Sequence, residues 1–144
     1  MINHFSVYLA DLFSIEVDQL PGFANENPGA FVESEKTAML MSALMPDYTW
    51  LATGGLSNLN PVIFSAMKRC KIQLFPDLGG FPTWQKKVDE LKKAGFEVSI
   101  SDLLERYAQP EDISAGFGLA DYFIRRYLEF GWAMKEEGYP VFCD

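Results

Sequence analysis

A chain of 144 residues with a net charge of −8, 49% hydrophobic and 22% charged residues, has the size of one domain and the composition of a folded globular protein rather than a disordered one. No apolar run approaches the ~20 residues that a membrane helix needs, and no basic region leads into an apolar segment at the N-terminus, so no membrane association is expected and the cytoplasm is the expected location. Cys70 and Cys143 lack CxxC spacing and His4 is the single histidine, which argues against zinc modules, disulfide scaffolds and Ser-His catalysis.

Residues 1–29 form a lead segment. Its apolar residues Phe5, Val7, Leu9, Leu12, Phe13, Ile15, Val17 and Leu20 suit a helix better than a strand, although the β-branched members weaken that pattern. Pro21-Gly22 and Asn25-Glu26-Asn27-Pro28-Gly29 are loop chemistry, and the segment is expected to pack on a sheet edge or on a partner. Ala30-Phe31-Val32 is then an apolar run of the kind a strand buried on both faces requires. Glu33 ends it, and Ser34 is the expected N-cap of a helix running through Ala38, Leu40, Ala43 and Leu44 to Pro46. Glu33 thus stands at the carboxyl end of a strand beside a helix N-terminus, where open α/β sheets place ligands; a solvated loop glutamate is the plain alternative.

Thr49-Trp50-Leu51-Ala52-Thr53 reads as a second strand ending in Gly54-Gly55, which either lets a ligand approach the backbone or makes a tight turn. The loop carries neither the Lys-Ser/Thr of a P-loop nor a GxGxxG pattern. Asn60-Pro61 is a cap and first-turn pair opening a helix through Val62, Ile63, Ala66 and Met67. Lys71 to Phe75 form a third strand, broken by Pro76-Asp77-Leu78-Gly79-Gly80, so Asp77 is a second carboxylate at a strand end. If the two strands are parallel and adjacent, Glu33 and Asp77 project into one crevice, where two acids share a divalent cation or split their pKa values.

Pro82 opens a helix with Trp84, Val88 and Leu91 on one face and Gly95 at its end. Phe96 to Ile100 alternate as a fourth strand, followed by the Ser101-Asp102 cap. Residues 103–130 give two helices broken at Gln109-Pro110 and at Gly116-Phe117-Gly118, the second with an apolar face of Leu119, Tyr122, Phe123, Tyr127 and Phe130. A tail over 131–144 follows, apolar enough from Tyr139 onward to dock. The alternation of strands and helices with short loops predicts a three-layer α/β fold: a mainly parallel four-stranded sheet with helices on both faces, spanning residues 30–130.

Charge is unevenly distributed: six acids and no base in residues 1–35, four acids and eight bases in 36–93, ten acids and four bases in 94–144. The basic middle holds Lys68, Arg69 and Lys71 before the third strand and Lys86, Lys87, Lys92 and Lys93 on one helix. These are either the wet face of an amphipathic helix or a landing ground for a polyanion.

Val32-Glu33-Ser34-Glu35-Lys36-Thr37-Ala38, Leu51-Ala52-Thr53-Gly54-Gly55 and Leu74-Phe75-Pro76-Asp77-Leu78-Gly79-Gly80 together resemble, in order and spacing, a Toprim domain. More narrowly, they are similar to uncharacterised Toprim-like domains of primase-related proteins on mobile elements, over roughly residues 30–125. The resemblance implies a Rossmann-like, metal-binding module of the kind found in bacterial-type primases, topoisomerases and certain nucleases. Glu33 then matches a general acid/base or metal-linked glutamate, and Asp77 the first aspartate of a DxD motif, a ligand of magnesium or manganese. The second DxD position falls on Gly79, so that ligand is missing, and Glu35, Asp102 and Asp121 are the candidates to compensate. Lys36, Gly54, Gly55, Gly79 and Gly80 would face phosphate. The implied activity is primase-type phosphoryl transfer on nucleic acid or nucleotide, alongside a zinc-binding or helicase partner in replication. No tyrosine stands where a topoisomerase nucleophile would. The lost aspartate equally implies a degenerate domain that binds nucleic acid, nucleotide or a replication protein without turnover. A small-molecule enzyme on an unrelated doubly wound sheet is a third reading, one that non-adjacent strands for Glu33 and Asp77 would favour.

Overall fold

The computed structural model describes residues 27–59, 64 and 70–130. The lead segment to residue 26, most of the helix expected after Asn60, Lys68, Arg69 and the tail over 131–144 lie outside the described residues, as do the side chains of Tyr127 and Phe130. The elements are β1 (Gly29–Val32), α1 (Glu35–Leu44), β2 (Thr49–Ala52), a 3-10 turn (Leu56–Asn58), β3 (Ile72–Leu74), α2 (Phe81–Lys93), β4 (Val98–Ile100), α3 (Leu103–Tyr107), α4 (Pro110–Ser114) and α5 (Leu119–Phe130). The four strands form one sheet in the order β2-β1-β3-β4, and every pairing is parallel. Phe31 stands opposite Leu51 on one side and Leu74 on the other.

Alternation along β1 builds two cores. Phe31 points into one with Leu51, Phe64, Leu74, Trp84 and Val88, and α2 covers that face. Ala30 and Val32 point into the other with Trp50 of β2, Phe75 just past β3, Met41 of α1, and Leu119 and Phe123 of α5. The result is a three-layer α/β fold, with a four-stranded parallel sheet between helices on both faces. All four residues of β1 are buried, as its unbroken apolar run requires. Each wholly buried large side chain, such as Phe31, Trp50 or Trp84, contributes roughly 1.5–3 kcal/mol of hydrophobic burial.

The helices start and stop for local reasons. Ser34 caps α1, its Oγ accepting from the Thr37 N–H at 3.1 Å. The buried Trp50 indole donates to the Met45 carbonyl at 2.8 Å, which ties the end of α1 to β2. Pro82 lies in the first turn of α2, Lys92 and Lys93 complement its C-terminal dipole, and Gly95 leaves it at φ 92°. Both breaks expected after residue 102 operate, so the region holds three helices where the sequence predicts two. The regular parts of β3 and β4 are shorter than expected, yet pairing continues past them: the Phe75 N–H donates to the Phe31 carbonyl and the Ser101 N–H to that of Leu74.

Candidate functional site

The chain passes from β1 to β2 on one side and then crosses back over β1 to β3 on the other, so the strand order reverses between β1 and β3. The crevice beyond the carboxyl ends at such a reversal is where open α/β sheets hold ligands. Glu33 directly follows β1 and Asp77 lies just past β3, so the two carboxylates leave neighbouring strand ends. They are joined: the backbone N–H of Asp77 donates to Glu33 Oε1 at 3.0 Å. Gly80 closes the turn with its N–H on the Asp77 carbonyl at 2.8 Å. It has to be glycine for lack of space, since a Cβ there would lie 2.7 Å from Glu33 Oε1, 2.9 Å from Leu56 Cδ1 and 3.0 Å from the Asp77 carbonyl oxygen.

The N-terminus of α5 completes the crevice. The Leu78 N–H donates to the Phe117 carbonyl at 2.9 Å, which holds the segment before α5 against the loop after β3. Gly118 then passes so close to Asp77 that a Cβ would meet Asp77 Oδ1 at 2.7 Å and Asp121 Oδ2 at 3.6 Å. Asp121 Oδ2 accepts from the Gly118 N–H at 2.9 Å, and its Oδ1 lies 3.5 Å from Lys36 Nζ. Asp77 Oδ1 is buried and has no hydrogen-bond partner among the described residues.

Burial, then the charges of Glu33 and Asp121, push the Asp77 carboxyl up to about 7, with Lys36 pulling weakly the other way. Burial also raises Glu33 above the ordinary carboxylate range, opposed by the bond from the Asp77 amide. Asp77 is therefore arranged to hold a proton near neutral pH, or to exchange it for a cation.

The other expected residues divide. Asp121 and Lys36 join the crevice. Glu35 is exposed and turned to the glycine loop after β2, where its Oε1 lies 3.4 Å from the Cβ position of Gly54. Asp102 is not directed at the crevice: its carboxylate pairs with Arg106 one turn along α3, at 2.6 Å. Gly54, Gly55 and Gly79 sit at φ 72°, 143° and 88°, conformations that glycine adopts without strain. Several glycine amides expected to face phosphate already have acceptors: Gly55 donates to Thr53 Oγ1 at 3.4 Å, Gly79 to Glu105 Oε1 at 3.3 Å and Gly80 to its own turn. Lys86, Lys87, Lys92 and Lys93 lie on α2, whose buried side carries Trp84, Val88 and Leu91, and Lys87 pairs with Glu90 at 3.0 Å. Because α2 leaves the crevice loop and runs back along the sheet, Lys92 and Lys93 stand at its far end. Two residues at the crevice were not marked as site residues by the sequence: Gly118, which reads there only as a helix break, and Glu105. Each acts through a contact made only in three dimensions, so no local pattern marks it.

Among the described residues no three Asp, Glu, His or Cys side chains form a ready-made metal cage, and no helix is long and apolar enough to cross a membrane. No curated protein and no solved structure matches the chain. Residues 18–78 are similar to the family model described as a domain of unknown function, DUF6371, a match that takes in β1, the glycine loop after β2 and Asp77 and stops short of Gly79.

Proposed function

We propose that this chain is a Toprim-like nucleic-acid-processing domain of the DNA primase type, acting by divalent-metal-dependent phosphoryl transfer with an incomplete DxD motif. The observation that carries the reading is the Asp77 carboxylate, whose buried Oδ1 has no donor among the described residues while Glu33 and Asp121 stand beside it. A buried acceptor in that state calls for a proton or a cation. The donor set suits magnesium or manganese in the usual protein manner, in which one or two carboxylates bind the ion and water and substrate phosphate complete its shell. Asp77 and Asp121 would hold the ion, and the absence of a three-acid cage among the described residues agrees with an ion that arrives with its phosphate.

Bound there, a divalent ion neutralises charge on the phosphate being transferred. The chain's own residues do the rest. Glu33 keeps Oε1 on the Asp77 amide, which fixes its orientation, and its raised pKa suits it to take up and return a proton. Lys36 is exposed and paired with Asp121 at 3.5 Å, so a phosphate oxygen entering the crevice competes for its ammonium group. Gly54 and Gly55 leave the loop after β2 without side chains beside Glu35. A replication protein such as a helicase or a zinc-binding module would bring the template.

A second reading, a degenerate domain that binds nucleic acid, nucleotide or a replication protein without turnover, is favoured by Gly79. That residue is in a left-handed conformation and offers no carboxylate where the motif expects one. Two measurements separate the readings. Magnesium or manganese is expected to raise the melting temperature of the wild type and not of Asp77→Ala. Metal-dependent primer synthesis or nicking is expected and should disappear in Glu33→Gln. Flat, identical metal responses with no turnover would sink the catalytic reading and leave binding alone.

A further inference from the structure

A cavity of about 230 Å³ lies between the end of α3, the start of α4 and one face of α5, lined by Tyr107, Gln109, Tyr122, Arg125 and Arg126. Tyr122, Arg125 and Arg126 stand three and four residues apart on α5 and so share a face. The rings of Tyr107 and Tyr122 meet with centroids 6.2 Å apart at 45°, yet Tyr107 remains 55% exposed, which makes an aromatic platform open on one side. Arg125 is held in place from two directions. Its guanidinium sits 4.3 Å from the centre of the Phe117 ring, and it bonds through both terminal nitrogens to the buried Asp112 carboxylate. The same carboxylate accepts from the Gln109 N–H at 2.7 Å, so one buried acid positions two walls of the cavity.

Among the described residues the lining thus presents aromatic faces, guanidinium groups, an amide and phenols, and no carboxylate. That set is selective for a planar ring joined to an anion, because aromatic and arginine side chains stack bases while guanidinium groups pair with phosphate. The volume is below the roughly 300–1,000 Å³ of pockets for drug-sized ligands and suits one ring system. We propose that this cavity binds a nucleotide, its base on the face of Tyr107 and its phosphate at Arg126 and Arg125, either free or as one unit of a single strand. Asp121 and Tyr122 are consecutive on α5, so the one helix carries residues of both the crevice and the cavity. The inference rests on the phosphoryl-transfer reading only for the use of the nucleotide, which would lie beside the carboxylates.

The test is equilibrium binding in excess EDTA, without turnover, using adenosine monophosphate, a single-stranded oligothymidylate of about eight nucleotides and inorganic phosphate. The wild type is expected to bind one or both nucleotide probes, and which of them binds identifies free nucleotide or strand as the source. Tyr107→Ala should weaken binding roughly tenfold while Tyr107→Phe retains it. Arg126→Gln should weaken it too, and reduce the salt slope for the oligonucleotide by about one contact. Lys92→Gln, in the last turn of α2 and outside both cavity and crevice, should bind as the wild type does. Absence of binding at millimolar probe overturns the proposal. So does binding that survives both Tyr107→Ala and Arg126→Gln, binding lost in Lys92→Gln, or inorganic phosphate competing as well as the nucleotide. A wild type that binds nucleotide but never turns over sinks the phosphoryl-transfer reading alone.

Discussion

Replacing Asp77 with Asn is expected to stabilise the protein at neutral and alkaline pH while leaving it unchanged in acid. The carboxyl has an ordinary value of 3.8 and is raised to about 7 in the fold, first by burial and then by Glu33 and Asp121. Below the ordinary value, folded and unfolded chains both hold the proton and the group has no effect on stability. As pH rises toward 7, the unfolded chain releases its proton while the folded one keeps it, so the wild type loses stability, and above that value the loss is complete. At about 1.36 kcal/mol per pKa unit the full gap is on the order of 4 kcal/mol. Asp77 is partly exposed and its surroundings relax, so about half of that, ~2 kcal/mol, is the realistic penalty. For a chain of this length it corresponds to ~6 °C in melting temperature. Asn has nearly the same shape, does not titrate, and adds a donor beside two carboxylates. Thermal unfolding followed by circular dichroism should give coincident curves near about pH 4 and a variant ~6 °C more stable by about pH 8. Saturating magnesium should narrow the difference by raising the wild type. A constant offset across the pH range, or a variant less stable than the wild type at the alkaline end, would refute the burial of a strained carboxylate at the crevice.

The two glycines that approach the carboxylates should respond differently from one that does not. Gly118→Ala puts a methyl group 2.7 Å from Asp77 Oδ1 and should cost ~1–3 kcal/mol in denaturant unfolding, with the midpoint losing part of its pH dependence. Gly80→Ala should cost at least as much, since one of its close contacts is a backbone carbonyl that cannot swing away. Gly79→Ala in the same loop meets nothing within 4 Å and should cost only the ~1–2 kcal/mol of a left-handed residue; unfolding losses ranked the other way round would contradict the close approach. Asp112→Asn should lower the melting temperature by loosening Arg125 from the start of α4. The bonds from Arg125 hold the Asp112 carboxyl below its usual range, so its contribution is present above the ordinary value and fades as pH falls through the folded one. The deficit of the variant should therefore shrink in acid, and a deficit independent of pH would argue against an ionised pair.

What the sequence discloses here is what depends on near neighbours. Ser34 caps α1 through a bond to Thr37, three residues on, and Pro82 and Gly95 bracket α2 through backbone restrictions they carry anywhere. The burial of β1 on both faces is legible because Ala30-Phe31-Val32 contains no polar residue. The strand order is not legible, because nothing in the chain states that β3 crosses over to the far side of β1. Glu33 and Asp77 are visible as acids at strand ends, but the bond from the Asp77 amide to Glu33 links residues 44 positions apart. Gly118 reads as a hinge, whereas its role is to leave room for a carboxylate from another loop. Asp102 shows the opposite error: its partner Arg106 lies four positions ahead, a helical spacing that was present in the sequence and announces a local pair.

The strand that carries Glu33 shares its alternation between two separate cores, Phe31 in one and Ala30 and Val32 in the other. A slip of one residue would exchange a large ring for small side chains in both layers at once, and would break its register with β2 and β3 together. Glu33 therefore has no intermediate positions along the sheet. Damage to either core should reach the crevice as loss of a fraction of intact molecules rather than as a gradual misalignment in all of them. In a series of core variants, the surviving folded molecules should keep wild-type geometry at Glu33 while their number falls.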